Sequence, residues 1–142
     1  MKRFLCLSIF GLLLSLSLFA QNPVFTQSEI TDEIFHRIRG KSFPEECTTS
    51  RETLRFLRVS HYNGEGEVCQ GELICHHSIA DDLLDIFRQL YDARYPIERM
   101  VLIDEYDADD EASMAHNNTS AFNFRYISGT RRLSKHSLGL AV

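Results

Sequence analysis

The fold is decided by residues 54–91, which read LRFLRVSHYNGEGEVCQGELICHHSIADDLLDIFRQLY. Within this stretch, residues 54–62 and 67–75 alternate loosely between apolar and polar side chains, which is typical of strands with one buried face. Residues 63–66 between them, NGEG, have the composition of a tight turn. The two runs therefore predict a β-hairpin.

A helix is predicted directly after the hairpin. Apolar side chains recur at helical spacing over residues 78–91, and Ser78 is a suitable N-terminal cap. An earlier helix is predicted over residues 28–39, with Ser28 as its cap and Gly40 as its stop. The hairpin thus has a predicted helix on either side of it in the chain.

Two further apolar runs, residues 97–103 and 121–127, predict additional strands. Residues 104–118 between them are long for an idle connection, and long loops tend to be functional or mobile. Their acidic part, residues 104–111, is expected to form a solvated rim. A last apolar segment, residues 138–142, is expected to begin another strand with Leu140 and Val142 in the core. These elements predict an α+β fold, a small antiparallel or mixed sheet with flanking helices, incomplete at its C-terminus.

Residues 1–20 have the organisation of a signal peptide. Two basic residues precede an apolar run that is shorter than the roughly 20 residues of a membrane-spanning helix. Cleavage is expected after Ala20, which leaves residues 21–142 as an exported chain, periplasmic or secreted, without a stable membrane anchor. Leu18 is not the small residue preferred three positions before a cleavage site, so an uncleaved anchor is the alternative.

Charge and cysteine content narrow the classes of partner. The formal charge of −5 becomes −7 when residues 1–20 are removed, and no basic cluster is present to hold a nucleic-acid backbone. Three cysteines then remain, Cys47, Cys69 and Cys75, which allow at most one disulfide whose connectivity the sequence leaves open. The sequence therefore predicts one small acidic domain, expected to be a monomer, that does not bind nucleic acid.

The most informative stretch is residues 134–142, SKHSLGLAV. A histidine in a loop, here His136, can turn its imidazole toward a metal. Gly139 lets the backbone make a close approach, and the small side chain of Ala141 leaves room for a metal and a substrate. The cysteine and histidine residues at 69–77 lack the paired spacing of a structural zinc site, so they are the weaker candidates.

Ser134, His136, Gly139 and Ala141 match in register the S-x-H-x-x-G-x-A-x-D signature of a family of zinc peptidases. The chain resembles this family, the D-alanyl-D-alanine carboxypeptidases and L-alanyl-D-glutamate endopeptidases. In the family, the histidine and the aspartate are two of three zinc ligands, a later histidine is the third, and a glutamate shortly before it is the general base. The resemblance implies zinc as cofactor and His136 as a metal ligand, with the remaining ligands and the glutamate beyond Val142.

The region before the signature also resembles secreted members of the family, in Ser113-Met114, in residues 117–122 and in Arg125. Family members have an arginine upstream of the zinc histidine that contacts polar groups of the substrate. By this resemblance Arg125 is the candidate catalytic arginine, since a planar guanidinium can hold a carboxylate or a polarised carbonyl. The alternative is that Arg125 only pairs with an acidic residue of the preceding loop.

Two other residues complete the candidate site. Arg131 follows Ser-Gly-Thr in a pattern like one of the family and is a candidate for substrate binding, as is Ser134. The resemblance implies a zinc peptidase that hydrolyses peptidoglycan stem peptides but is inactive as the 142-residue chain, because one imidazole cannot hold catalytic zinc. The alternative is a non-catalytic secreted envelope or binding protein, or a truncated remnant of the peptidase.

Overall fold

The computed structural model describes residues 22–142, so the predicted signal peptide lies outside the described residues. Three strands form one antiparallel sheet in the order β1, β2, β3. Their bounds are Phe25–Glu29 for β1, Leu54–Tyr62 for β2 and Val68–His76 for β3. The predicted hairpin is confirmed, because β2 pairs with β3 over the full length of both strands.

The hairpin turn is closed by one asparagine side chain. Oδ1 of Asn63 accepts hydrogen bonds from the backbone N–H groups of Glu65 (3.0 Å) and Glu67 (2.9 Å). Gly66 has a φ of +80°, a conformation that glycine adopts without steric cost. The turn composition noted in the sequence therefore sets the register of β2 against β3.

Three α-helices accompany the sheet: α1 Asp32–Ile38, α2 Ala80–Asp92 and α3 Asp110–Ala115. Short 3₁₀ turns lie at Arg51–Thr53, His77–Ile79, Ile103–Tyr106 and Lys135–Leu138. The predicted α+β class is confirmed, with an antiparallel sheet. Over residues 22–142, no helix combines the length and apolar character needed to cross a membrane.

Both predicted helix starts are wrong by a few residues. Ser28 lies in β1, and α1 begins after Thr31, whose side chain caps the first turn. The second helix, α2, begins at Ala80, and Ser78 is part of a preceding 3₁₀ turn in which its N–H donates to Nδ1 of His76 (3.2 Å). Ser28 and Ser78 both have side chains that suit a helix cap, but in the folded chain each belongs to the element before the helix.

The two further apolar runs of the sequence do not form strands, so these predictions are wrong. Each instead makes a single backbone hydrogen bond to the outer edge of β3. The N–H of Glu72 donates to the carbonyl of Met100 (2.9 Å), and the N–H of Phe122 donates to the carbonyl of Ile74 (2.9 Å). The two segments therefore share the free edge of β3, and neither pairs with it over enough residues to form a fourth strand.

Both faces of the sheet are buried, because side chains alternate between them along each strand. The strand residues in the hydrophobic cluster that contains α2 are odd-numbered, and those in the cluster that contains the end of α1 and the C-terminal region are even-numbered. The first cluster includes Leu57, Val59, Leu73, Cys75, Leu83 and Phe87, and the second includes Ile38, Phe56, Ile74, Leu102, Phe122 and Phe124. The expectation that Leu140 and Val142 join a core is wrong, since they are 37 % and 52 % exposed.

The cysteines of β3 are too far apart to form a disulfide with each other. Cys69 and Cys75 are six residues apart in one strand, which separates their Cα atoms by about 20 Å, whereas a disulfide needs less than about 7 Å. The three thiols of the described residues are all free. Cys75 is fully buried, and this burial raises the pKa of its thiol to about 12. Cys75 is therefore an unreactive core residue.

Candidate functional site

The turn that carries His136 is fixed at both of its ends. Ser134 precedes the turn, and its Oγ accepts a hydrogen bond from the N–H of His136 (3.3 Å). Gly139 ends the turn with a φ of +65°. Ser134 is buried, with 7 % of its surface exposed, so this candidate substrate-binding residue lies in the structure as the cap of the His136 turn.

Gly139 attaches this turn to β3. Its carbonyl accepts a hydrogen bond from the N–H of His76 (2.9 Å), the last residue of the strand. A Cβ at position 139 would lie 2.7 Å from the backbone N of His76 and 3.0 Å from the carbonyl carbon of Cys75. The close backbone approach predicted from this glycine is present, and it is made to the sheet edge.

The imidazole of His136 is held by one of its two ring nitrogens. Nδ1 lies 2.6 Å from the carbonyl oxygen of Ala121. A carbonyl only accepts hydrogen bonds, so Nδ1 carries the hydrogen, and in the neutral ring the lone pair then lies on Nε2. Metal-binding histidines in proteins are commonly oriented in this way, with the other ring N–H donated to a carbonyl or carboxylate. The ring of His136 therefore fits the role of a metal ligand through Nε2.

His136 and Arg125 line the same open cleft, which has a volume of about 350 Å³. The cleft lies between the His136 turn, α3 and the segment that joins α3 to Arg125. Its other lining residues are mainly polar and acidic: Ile103, Asp110, Glu111, Ser113, Met114, Asn118, Thr119, Ser120 and Val142. The structure thus brings together the two residues that the family resemblance names as metal ligand and catalytic arginine.

The backbone of Arg125 is tied to the His136 turn by a buried serine. Oγ of Ser137 accepts a hydrogen bond from the N–H of Arg125 (2.8 Å) and donates one to its carbonyl (2.5 Å). The same carbonyl accepts a hydrogen bond from the N–H of Ser134 (3.0 Å). The carbonyl of Ser137 in turn accepts from Oγ1 of Thr49 (2.7 Å). Arg125 and His136 are therefore held at a fixed spacing.

The guanidinium of Arg125 is in ion-pair contact with Asp110. Nε of Arg125 lies against Oδ2 of Asp110, although the N–H is not aligned as a hydrogen bond. The pairing with an acidic residue that the sequence left as the alternative is thus present, and it occurs inside the cleft. Arg131 is exposed and is not among the residues that line this cleft.

The prediction of a solvated rim is wrong for Asp104, which is buried with 4 % of its surface exposed. Its carboxylate accepts hydrogen bonds from the N–H and the Oγ of Ser42, each 3.0 Å long. Loss of hydration on burial raises the pKa of this carboxyl above its ordinary value of 3.8, although the bonds from Ser42 and the nearby Lys41 oppose the rise. Asp104 therefore joins the start of the acidic segment to the loop after α1.

A carboxyl whose pKa is raised by folding stabilises the folded state fully below its unfolded pKa and loses this contribution as pH rises through the folded pKa. We therefore expect an Asp104→Asn variant to gain stability relative to the wild type as pH is raised from about 3 to about 7. Urea unfolding at a series of pH values measures this difference. A pH-independent difference for Asp104→Asn would contradict the prediction.

The residues present fit one ligand position of a zinc site. Catalytic zinc is generally held by three protein ligands and a water molecule. Among residues 22–142, no group of three or more histidine, cysteine, aspartate or glutamate side chains lies close enough to hold a metal. His136 thus fits as a single ligand, and a complete site needs ligands from outside these residues.

No protein-family model matches the chain, and neither the curated proteins nor the solved structures contain a significant match. The functional argument therefore depends on the geometry of the cleft and on the signature around His136. Sequence reasoning named His136 and Arg125 as candidates and gave an acidic partner of Arg125 as the alternative, without naming Asp110, and it missed Asn123 and Ser137. The acidic composition before Arg125 was the available signal for Asp110, and the sequence offered none for the other two.

Proposed function

We propose that this protein is a secreted zinc-dependent peptidase that acts on peptidoglycan stem peptides, similar to D-alanyl-D-alanine carboxypeptidases. The observation that carries the proposal is the orientation of His136. Its Nδ1–H is donated to a backbone carbonyl, which leaves Nε2 as the ring nitrogen available to a metal, and His136 lines a cleft that it shares with Arg125.

His136 has the role of a zinc ligand in this proposal, and its hydrogen bond to Ala121 sets the direction of the ligand lone pair. A zinc ion bound there would supply Lewis acidity toward the scissile carbonyl and lower the pKa of a water molecule. The aspartate and histidine that complete the ligand set, and the glutamate that takes the proton from water, belong to sequence beyond Val142 by the family pattern.

Arg125 has the role of holding the substrate oxygen on which negative charge develops. Its side chain lines the cleft, is 35 % exposed, and has its Nε occupied by Asp110. A guanidinium has five N–H donors, so the two Nη groups are left to contact a carbonyl or carboxylate. Such preorganised donors stabilise the transition state more than the ground state.

The expected location agrees with this substrate. Peptidoglycan lies outside the inner membrane, and the sequence of residues 1–20 predicts export. The acidic balance of the exported chain opposes nucleic acid as a partner. The proposed protein is thus a periplasmic or secreted monomer whose partner is a wall peptide.

The proposal is tested by comparing the 142-residue chain with a protein extended by the codons that follow Val142. We expect the extended protein to bind one zinc ion per chain and to hydrolyse isolated muropeptides, because it supplies the missing ligands and base. The 142-residue chain should do neither. Metal content by elemental mass spectrometry and product analysis by chromatography are the two measurements.

Each of the other results has a defined meaning. Turnover by the 142-residue chain would refute the assignment of the missing ligands to the extension. An extended protein without zinc or turnover that still binds muropeptides through Arg125 would instead support the alternative of a non-catalytic wall-binding protein. The feature that favours this second candidate is that Asp110 contacts only Nε of Arg125, a residue that lines the cleft.

A further inference from the structure

Asp110 lies between the candidate catalytic arginine and a buried asparagine. It is the first residue of α3, whose N-terminal cap is the side chain of Asp109. Oδ2 of Asp110 is in ion-pair contact with Nε of Arg125, and Oδ1 accepts a hydrogen bond from Nδ2 of Asn123 (3.1 Å). Both carboxylate oxygens are thus occupied, one by each neighbour.

Asn123 is itself fixed by contacts on both sides. It is 3 % exposed, and its Nδ2 also donates to the carbonyl of Ala108 (3.1 Å) just before α3. Its backbone N–H donates to the carbonyl of His136 (3.1 Å). Asn123 therefore connects the carboxylate of Asp110 to the backbone of the residue that carries the candidate metal ligand. A shift of the His136 turn would be transmitted to the guanidinium of Arg125 through these contacts.

The geometry of the ion pair leaves a defined edge of Arg125 free. Asp110 contacts Nε, and no hydrogen bond or ion pair of Nη1 or Nη2 is found within residues 22–142. Restraint at Nε reduces the rotation of the guanidinium, and the two Nη groups keep the fork geometry that matches a carboxylate or carbonyl. A guanidinium without this restraint would have to be ordered by the substrate at a cost in conformational entropy.

We propose that Asp110 is a positioning residue that orients Arg125 toward the substrate oxygen, and that Asn123 keeps this orientation in register with His136. The inference rests on the proposed function for the identity of the substrate, a peptide with a free carboxylate. The opposing view is that Asp110 only neutralises the charge of Arg125. The two views predict opposite effects on the binding of an anion, and this difference allows a decisive test.

The test uses the full chain, an Asp110→Asn variant and the peptide N-acetyl-D-alanyl-D-alanine as probe. If Asp110 only neutralises Arg125, removal of its negative charge should tighten binding of the probe carboxylate. If Asp110 positions Arg125, the dissociation constant measured by calorimetry should instead rise by about tenfold, the effect of one poorly aligned charged hydrogen bond. Unchanged or tighter binding by Asp110→Asn would overturn the proposal.

Glu111→Gln is the matched control. It removes the same charge from the first turn of α3 and from the lining of the same cleft, but Glu111 makes no ion pair with Arg125. We expect it to lower the dissociation constant slightly, because a negative charge is removed from the lining of the cleft that holds the anionic probe. An equal loss of affinity in this variant would count against a specific role of Asp110. Asp110→Glu, which restores the charge, should recover part of the lost affinity.

A second measurement does not depend on any ligand. The exchange of the two Nη groups of Arg125 by rotation of the guanidinium, followed by ¹⁵N NMR, should be about three- to fivefold faster in Asp110→Asn, which is the scale of a partly exposed ion pair. Glu111→Gln should exchange at the wild-type rate. Equal rates in Asp110→Asn and the wild type would overturn the positioning role, whereas slow exchange in a wild type that binds no probe would leave that role intact and contradict the proposed function.

Discussion

Replacement of Gly139 by alanine should lower the free energy of unfolding by about 3 kcal/mol, the sum of two unfavourable effects. Gly139 has a φ of +65°, a conformation that costs an alanine about 1–2 kcal/mol. The added Cβ would also lie 2.7 Å from the backbone N of His76, and backbone atoms of a paired strand cannot move aside as a flexible side chain can. Urea unfolding of the wild type and the variant measures the loss.

Gly129→Ala separates the two effects. Gly129 has a similar φ of +73°, but nothing lies within 4 Å of the position that its Cβ would take. This variant should therefore lose only about 1–2 kcal/mol, the conformational part of the cost. Equal losses in the two variants would show that the turn of His136 is not pressed against β3 as the structure describes.

The hairpin and two of the helices, α1 and α2, could be predicted because their signals are local, whereas α3 formed within the expected connection. Alternation over residues 54–62 and 67–75 sets two strands, and the turn at Asn63 joins them. The apolar alternation of residues 97–103 reflects burial equally well, since Met100 and Leu102 are core residues. Whether such a segment becomes a strand depends on a partner edge elsewhere in the chain, and here β3 gives it one hydrogen bond. Sequence periodicity indicates which side chains are buried, but it does not indicate whether a strand edge is available to pair with the segment.

The candidate site shows the same division between local and distant information. His136 and Gly139 belong to one short signature, so a single stretch of sequence could name them. Ser137 is an unspecified position of that signature, yet its Oγ binds both backbone polar groups of Arg125, and its carbonyl is held by Thr49, 88 residues away. Contacts across such separations leave no pattern in one sequence.

Replacement of His136 by alanine in the extended protein should abolish both zinc binding and peptide hydrolysis. Removal of a single oxyanion-stabilising donor lowers kcat by about 10²–10³. Loss of the metal removes the stabilisation of the oxyanion and also the activation of water, so kcat/KM should fall by more than about 10³. Metal content and kcat/KM on a muropeptide substrate are measured on the same preparation, with circular dichroism to establish folding.

Arg125→Ala distinguishes the role of a metal ligand, proposed for His136, from that of a residue that contacts the substrate. Because Arg125 acts on the substrate oxygen, its removal should lower kcat/KM by about 10²–10³ and leave one zinc ion bound. Lys135→Ala, which removes an exposed cation beside His136 and outside the cleft, should alter neither quantity. If the His136→Ala protein keeps its metal and its activity, His136 is not a ligand, and the cleft then serves only to bind peptides. If Arg125→Ala loses the metal together with activity, the arginine supports the fold of the site and does not act on the substrate.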